Sequence, residues 1–574
     1  MRARARRALA GGRGALIHSA PVRSVADRPD EPSREPSLLK STGPRWGPLP
    51  SSHTVQAAVF TLVFVLCAYF YNGYGWGQTA RYDPIWAFVE QGPDQYTLRI
   101  DGFLSDPEEG LNTGDWARNP ERGDHYYSNK APGTSLLGIP FYLALYHAER
   151  AAGLDPTSVR GVLVNAYLIN LWVSVLPVAL SAVFFFGLAR TLTGSERRAL
   201  GLTFILYGGT LLFPFSTMLW GHATAAAFVV MSLAAFVGSG PRRLFWSGLF
   251  AGLAVLTDYG AAPLPVLLVA AAALSGDRRP KLAALALGGL APAVAFAAYH
   301  WTLFGSPLTL ASSHSPPGML RESEIGGLFG SLQPGAFGGL TISTRRGLFF
   351  FMPVLLMSLG VAAHMLRRTD GRLRSVREPA GPARPPDHQA LAWIAIGCAA
   401  LIFLSNLSFN GWHGGVTAGP RYQIVALPFY VVLLAFLPER TGMGYALLLL
   451  ACVSFANMFV IAAVSPMAPD ALRGSPLLFA YAKLVGTLRL DLGLDPPLPA
   501  GGSLSRGSIH VYPTFLMRAW TVELTSPVIE RLAVFNLGER VLGLRGAASL
   551  LPALLIPAGL GTWLWRRTGR GRSR

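Results

Sequence analysis

The feature that most limits what this chain can become is a recurring apolar run. From residue 54 onward, apolar stretches of roughly 16–24 residues alternate with short polar segments, long enough to cross about 30 Å of hydrocarbon as helices. In lipid the backbone must satisfy its own hydrogen bonds, and these runs lack the period-two alternation of barrel strands, so they read as helices. Composition agrees: 51% of the 574 residues are hydrophobic and 14% are charged, against about a quarter charged in a soluble domain. The expectation is an all-α polytopic membrane protein with about twelve transmembrane helices. Cys67, Cys398 and Cys452 fall inside expected helices, which leaves no disulfide framework and no cysteine-based metal site.

Crossings are expected at 54–71, then near 163–190, 199–215, 222–238, 244–257, 262–275, 282–302, 347–365, 389–406, 422–437, 442–464 and 546–565. The apolar stretch 134–147 is short and contains Pro140, which suits an interfacial or re-entrant helix. If it does not cross, one side collects the N-terminal tail, Arg197/Arg198, Arg242/Arg243, Arg278/Arg279/Lys281, the basic segment 367–384 and the C-terminal RRTGRGRSR. Most of the 49 Lys and Arg then lie on the side of both termini, which the positive-inside rule makes cytoplasmic. The net charge of +18 is thereby an orientation signal, and nucleic acid is not an expected partner. Four regions follow: a disordered basic tail at 1–53, a transmembrane domain at 54–465, an outer region at 466–545, and a last helix with a basic tail at 546–574. Loops 72–162, 303–346 and 466–545 are expected outside, in a cell (inner or plasma) membrane.

The first outer loop carries the densest polar chemistry. Arg81-Tyr82-Asp83 opens an amphipathic segment; Asp101, then Asp115 in NTGDWA, and finally YYSNKAPG with Tyr127 and Lys130 follow. A proton acceptor for a hydroxyl must be a carboxylate or histidine outside the hydrocarbon, and a departing phosphate needs a cation, which Lys130 can supply. The same Asp and Gly residues also suit a plain solvated loop. Arg346, beside Arg345, precedes the span starting GLFFFMP, and Arg421 of GPRY has Trp412 and His413 upstream. Both arginines sit where positive charge is disfavoured, so an anionic partner or lipid headgroups must compensate them; Trp412 also fits an interfacial belt. His222 in LWGHA and Asp258 in TDYG are ionisable groups at membrane depth, hence either functional or helix-packing hydrogen bonds. No Walker motif, GxGxxG context, HExxH or Cys/His metal spacing occurs. No cofactor is firmly expected, and a divalent metal has no motif behind it.

A long first outer loop with Arg-Tyr at the start of one segment and Tyr-x-x-Lys-x-Pro at the start of the next resembles the GT-C glycosyltransferases. The likeness is to the protein O-mannosyltransferase and lipid A aminoarabinose transferase group. Here Arg81-Tyr82 and Lys130-Ala131-Pro132-Gly133 fill those places, and the likeness extends from 54 to about 440. It implies interfacial helices in the first loop and an inverting transfer of a hexosyl or pentosyl sugar from a polyprenyl-phosphate donor. The acceptor would be a hydroxyl of a glycan, lipid or protein at the outer face. Several members carry an acidic pair just before Arg-Tyr; this chain has Gly77-Gln78-Thr79-Ala80. The base is therefore expected at Asp115, then Asp101, then Asp83, with Lys130, Arg346 and Arg421 on the donor phosphate. A lipid-linked glycan flippase and a catalytically silent membrane scaffold are the competing classes.

Overall fold

Helix is the dominant outcome of this sequence because an apolar segment in lipid can close its hydrogen bonds only along itself. The computed structural model describes residues 53–569 except 74, 92–95, 105–112, 238–239, 276, 321–323, 326, 373–385, 439, 469–471, 473 and 493–534. The expected basic tail at 1–52, most of the 367–384 cluster, much of the last outer region and the final five residues lie outside that set.

The principal helices begin with α1 (His53–Ala68), α2 (Trp76–Glu90) and, after a two-stranded ribbon of β1 (Trp116–Asn119) and β2 (His125–Ser128), α3 (Gly133–Ala151). Next come α4 (Arg160–Thr193), α5 (Glu196–Gly208), α6 (His222–Phe236), α7 (Pro241–Thr257), α8 (Pro263–Ala273) and α9 (Arg278–Phe304). The remainder comprises α10 (Leu356–Arg372), α11 (Pro386–Ser408), α12 (Leu427–Leu434), α13 (Thr441–Val464), α14 (Pro476–Asp491) and α15 (Leu551–Gly569).

A helix lies at each expected crossing, but among the described residues five stretches are long and apolar enough to cross a membrane: Arg160–Thr193, Arg278–Phe304, His388–Ser408, Thr441–Val464 and Gly546–Thr568. The others are shorter. α6 has 15 residues, about 22 Å of helix, and every side chain from His222 to Leu233 is buried. It is wrapped by protein rather than by solvent or lipid. Around it the core gathers Val63, Phe70, Phe185, Phe213, Phe351 and Phe429 from elements far apart in sequence.

Close packing of α7 on α9 rests on glycine. A Cβ on Gly248 would run into the Leu285 carbonyl, and one on Gly288 into the Phe245 carbonyl. Small residues let membrane helices approach backbone to backbone, where lipid supplies no hydrophobic drive.

Three features depart from the expectation. The 134–147 segment is part of a 19-residue helix, because Ala148-Glu149-Arg150-Ala151 continue it with good helix formers; Gly153, at φ 74°, follows its end. The last outer region contains α14, whose Tyr481 hydroxyl donates to Asn457 Oδ1 of α13 over 2.9 Å. The all-α reading omitted the ribbon, which pairs antiparallel with Trp116 opposite Ser128 and Asn119 opposite His125.

Candidate functional site

The ribbon's register creates the first pair of the site. Trp116 faces Ser128, so Asp115 and Lys130 emerge together at the open end, where Asn129 N–H donates to the Asp115 carbonyl over 3.4 Å. The Lys130 ammonium and Asp115 Oδ1 are 2.8 Å apart. At the other end, Asn119 caps the turn and its Nδ2 donates to the Leu303 carbonyl over 2.6 Å, pinning the ribbon to the end of α9. Tyr127 packs between them, its ring 5.8 Å from Phe304.

A helix hairpin creates the second pair. α6 and α7 are consecutive and packed together, so the first residue of one lies beside the residue following the other. His222 Nδ1 and Asp258 Oδ2 are 2.5 Å apart. Asp258 also accepts the Gly260 N–H through Oδ1 over 2.9 Å, which fixes both carboxylate oxygens. His222 Nε2 has no partner among the described residues.

Two arginines join the pairs. Arg81 comes from α2 and donates from Nη1 to the Gly77 carbonyl. Arg421 lies with its guanidinium 4.4 Å from the centroid of Trp220 and 4.8 Å from that of Tyr422, and Nη2 donates to the Tyr422 hydroxyl over 2.8 Å. Backbone proximity shows how tightly the segments meet. Gly221, held at φ 69°, is so placed that a Cβ would lie 3.0 Å from the Thr257 carbonyl and 3.3 Å from Arg81 Nε; a Cβ on Gly133 would also strike Thr257. Lys130-Ala-Pro-Gly133, the Trp220–His222 turn, the end of α7 and Arg81 therefore share one small region.

The electrostatics bind the cluster. Burial pushes the Asp115 carboxyl up, but Lys130, Arg421 and Arg81 outweigh it and leave the pKa below the usual carboxylate value. Burial pulls Lys130 down to about 8, with Asp115 opposing and Arg81 and Arg421 reinforcing the fall. Arg81 is pulled to about 10 by burial, against the field of Asp258 and Asp115. Burial raises Asp258, and His222, the Gly260 N–H and Arg81 overcome it to give a lowered value. Three cations face two carboxylates. Several buried polar atoms here also have no hydrogen-bond partner: Arg81 Nε, Arg421 Nε, Trp220 Nε1, Asn129 Oδ1 and Thr134 Oγ1. Buried polar groups are nearly always satisfied; here three unpartnered donors, Arg81 Nε, Arg421 Nε and Trp220 Nε1, stand beside an excess of positive charge.

The remaining candidates have other partners, though Arg346 and His413 stand within the field of Arg421. Asp101 accepts the Tyr126 N–H over 3.2 Å and stands 3.4 Å from His125, on the outer flank of β2. Asp83 is buried in α2, its Oδ2 has no hydrogen-bond partner, and burial raises its pKa well above the carboxylate range. Tyr82 ties α2 to the Ala166 carbonyl over 2.8 Å and to the Tyr71 hydroxyl over 2.9 Å. Arg346 donates from Nε to the His413 carbonyl over 2.5 Å, and from its two terminal nitrogens to the carbonyls of Arg345, Thr417 and Gly415. It braces the loop leading to Arg421. His413 Nδ1 accepts the Gly415 N–H over 3.0 Å, and Trp412 packs over Gly339. Among the described residues, no group of three His, Cys, Asp or Glu side chains is placed to hold a metal.

Gln78, in the acid-free stretch before Arg81, has a structural task. Its amide donates to the Asn72 carbonyl over 2.7 Å and accepts the Leu219 N–H over 3.0 Å; a carboxylate could do only the second. Trp220 and Tyr422, the aromatic walls of Arg421, are the members the sequence reading missed. Their one signal was closeness in sequence, since Tyr422 directly follows Arg421 and Trp220 stands two residues before His222. Comparison with known proteins finds no matching family model, curated protein or solved structure.

Proposed function

We propose that this chain is a membrane glycosyltransferase that moves a sugar from a polyprenyl-phosphate donor to an acceptor hydroxyl. The observation that carries the reading is the meeting of Arg81, Lys130 and Arg421 around Asp115, with Arg81 Nε, Arg421 Nε and Trp220 Nε1 left without a hydrogen-bond partner. Such an array suits a phosphate at the level of a lipid headgroup: arginine offers paired donors and lysine a point charge. Lys130 moves from Asp115 to the phosphate oxygens as the donor enters. The acceptor oxygen then attacks the anomeric carbon from the face opposite the phosphate. The bond to the phosphate oxygen breaks with inversion, and the departing lipid phosphate keeps the electron pair under the three cations. Asp115 serves as their counter-ion when no donor is present.

The proposed setting is a cell-envelope membrane, crossed by about twelve helices, with both termini cytoplasmic and the cluster at the outer face. A flippase would need charge along a path through the bundle, whereas these groups gather at helix ends. The test is transfer of radiolabelled sugar from synthetic prenyl-phosphate sugars by the purified protein in vesicles. Lys130→Met should remove most of it, and label that crosses the bilayer without forming a new glycosidic bond would favour the flippase.

A further inference from the structure

Transfer to a hydroxyl requires a group that takes the hydroxyl proton, and Asp115 is poorly suited to it. An ion-paired carboxylate held below its usual pKa among three cations is a weak base. Asp101 is outside the cluster, and Asp83 is buried with its acid form favoured. His222 has the opposite construction. Its Nδ1 is fixed by Asp258 at 2.5 Å, and Asp258 is itself fixed by the Gly260 N–H. The ring is walled by Trp220 and Tyr422, whose centroids are 6.1 and 5.7 Å away, the same two aromatics that flank the Arg421 guanidinium. Nε2 is thereby the nitrogen left available, beside the cation cluster. A carboxylate on one ring nitrogen sets the tautomer and supports the charge that forms when the other accepts a proton.

We propose that His222 is the general base of the transfer and Asp258 its positioning residue. This rests on the glycosyltransferase reading. Nε2 takes the proton of the acceptor hydroxyl as its oxygen bonds to the anomeric carbon and the carbon–phosphate-oxygen bond breaks. The Nδ1 proton stays hydrogen-bonded to Asp258, and the imidazolium later returns its proton to water. The charged groups facing the ring are Asp258 after α7, Arg81 on α2 and Arg421 before α12.

The experiment is a pH–rate profile of kcat/KM for the wild type, His222→Gln, Asp258→Asn and Asp115→Asn in vesicles, with binding of the prenyl phosphate measured in parallel. His222→Gln should lose about 10²–10⁴-fold in rate, together with the acid limb of the profile, while still binding prenyl phosphate. Asp258→Asn should fall in kcat and shift that limb. Asp115→Asn should leave the limb in place. If wild-type protein forms no glycosidic bond, the transfer reading and this assignment fail together. If wild type is active and His222→Gln keeps its acid limb while Asp115→Asn loses it, the reading stands and the base is Asp115. Loss of prenyl-phosphate binding by His222→Gln would assign the histidine to building the site and overturn its role as base.

Discussion

At the scale of single residues, the cluster separates groups that hold charge from groups that hold shape. Lys130 is cationic below its pKa of about 8 and neutral above it, so donor binding should persist at lower pH and fall as pH rises through about 8. Lys130→Arg should carry that fall to higher pH, measured as donor KM across the alkaline range. Arg421→Lys keeps the charge but loses the planar stack on Trp220 and the paired donors; donor KM should rise about tenfold with kcat little changed. Asp115→Asn removes the counter-ion from a partly buried lysine, which should cost less than the roughly 3–5 kcal/mol of a fully buried pair. Its thermal midpoint in detergent should drop, and prenyl phosphate should restore more of it than in wild type; equal rescue in both proteins would count against Asp115 as counter-ion. Much of this cluster was legible in the sequence: Arg81 through the Arg-Tyr motif, Asp115 as a loop carboxylate before Lys130, His222 and Asp258 as ionisable groups at membrane depth, and Lys130 and Arg421 as positive charge on the disfavoured side. Arg346 carries the same signal, yet its guanidinium donates to backbone carbonyls, and no residue pattern records a bond to a carbonyl. The aromatic partners were hidden for a related reason, since tryptophan and tyrosine are ordinary at a membrane boundary.

At the scale of elements, the site depends on turns more than on helices. The ribbon was illegible because its strands are four residues each, carry Arg and Asn, and lack a clear alternation of apolar and polar residues. Its register decides whether Asp115 meets Lys130, for a one-residue slip puts alternate side chains on opposite faces. Arg346→Lys should loosen the 413–417 loop, since an ammonium cannot reach all the carbonyls now held. Each charged hydrogen bond is worth about 1.5–3 kcal/mol, so a lower thermal midpoint and faster proteolysis at 413–417 are expected. Unchanged stability with weakened donor binding would instead return Arg346 to the phosphate. The helices themselves were the readable part, because apolar length needs no partner to be recognised. The extent of α3 was not, since its final turn is polar and follows an apolar stretch too short to cross.

At the scale of the whole molecule, orientation is the property that function most depends on. In a cysteine-free background, single cysteines at Ser306 and near the C-terminus should label from opposite sides of sealed vesicles, the first from outside. Labelling of both from one side would overturn the expected orientation and place the cation cluster on the wrong face for an outward reaction. Among the described residues, five helices are long and apolar enough to cross a membrane; α6, short and buried from His222 to Leu233, shows why a count of crossings read from hydropathy exceeds the number of helices that reach full bilayer length.

The spacing of the cluster along the chain also has a history in time. Arg81, Lys130, His222 and Asp258 leave the ribosome early, whereas Arg421, its brace Arg346 and its wall Tyr422 arrive only after α9 has been made. Until then the early half carries Arg81, Lys130, Asp115 and Asp258 without Arg421. Under the proposed function, a chain ending before Arg421 should therefore lack donor binding, since the third cation of the set is missing.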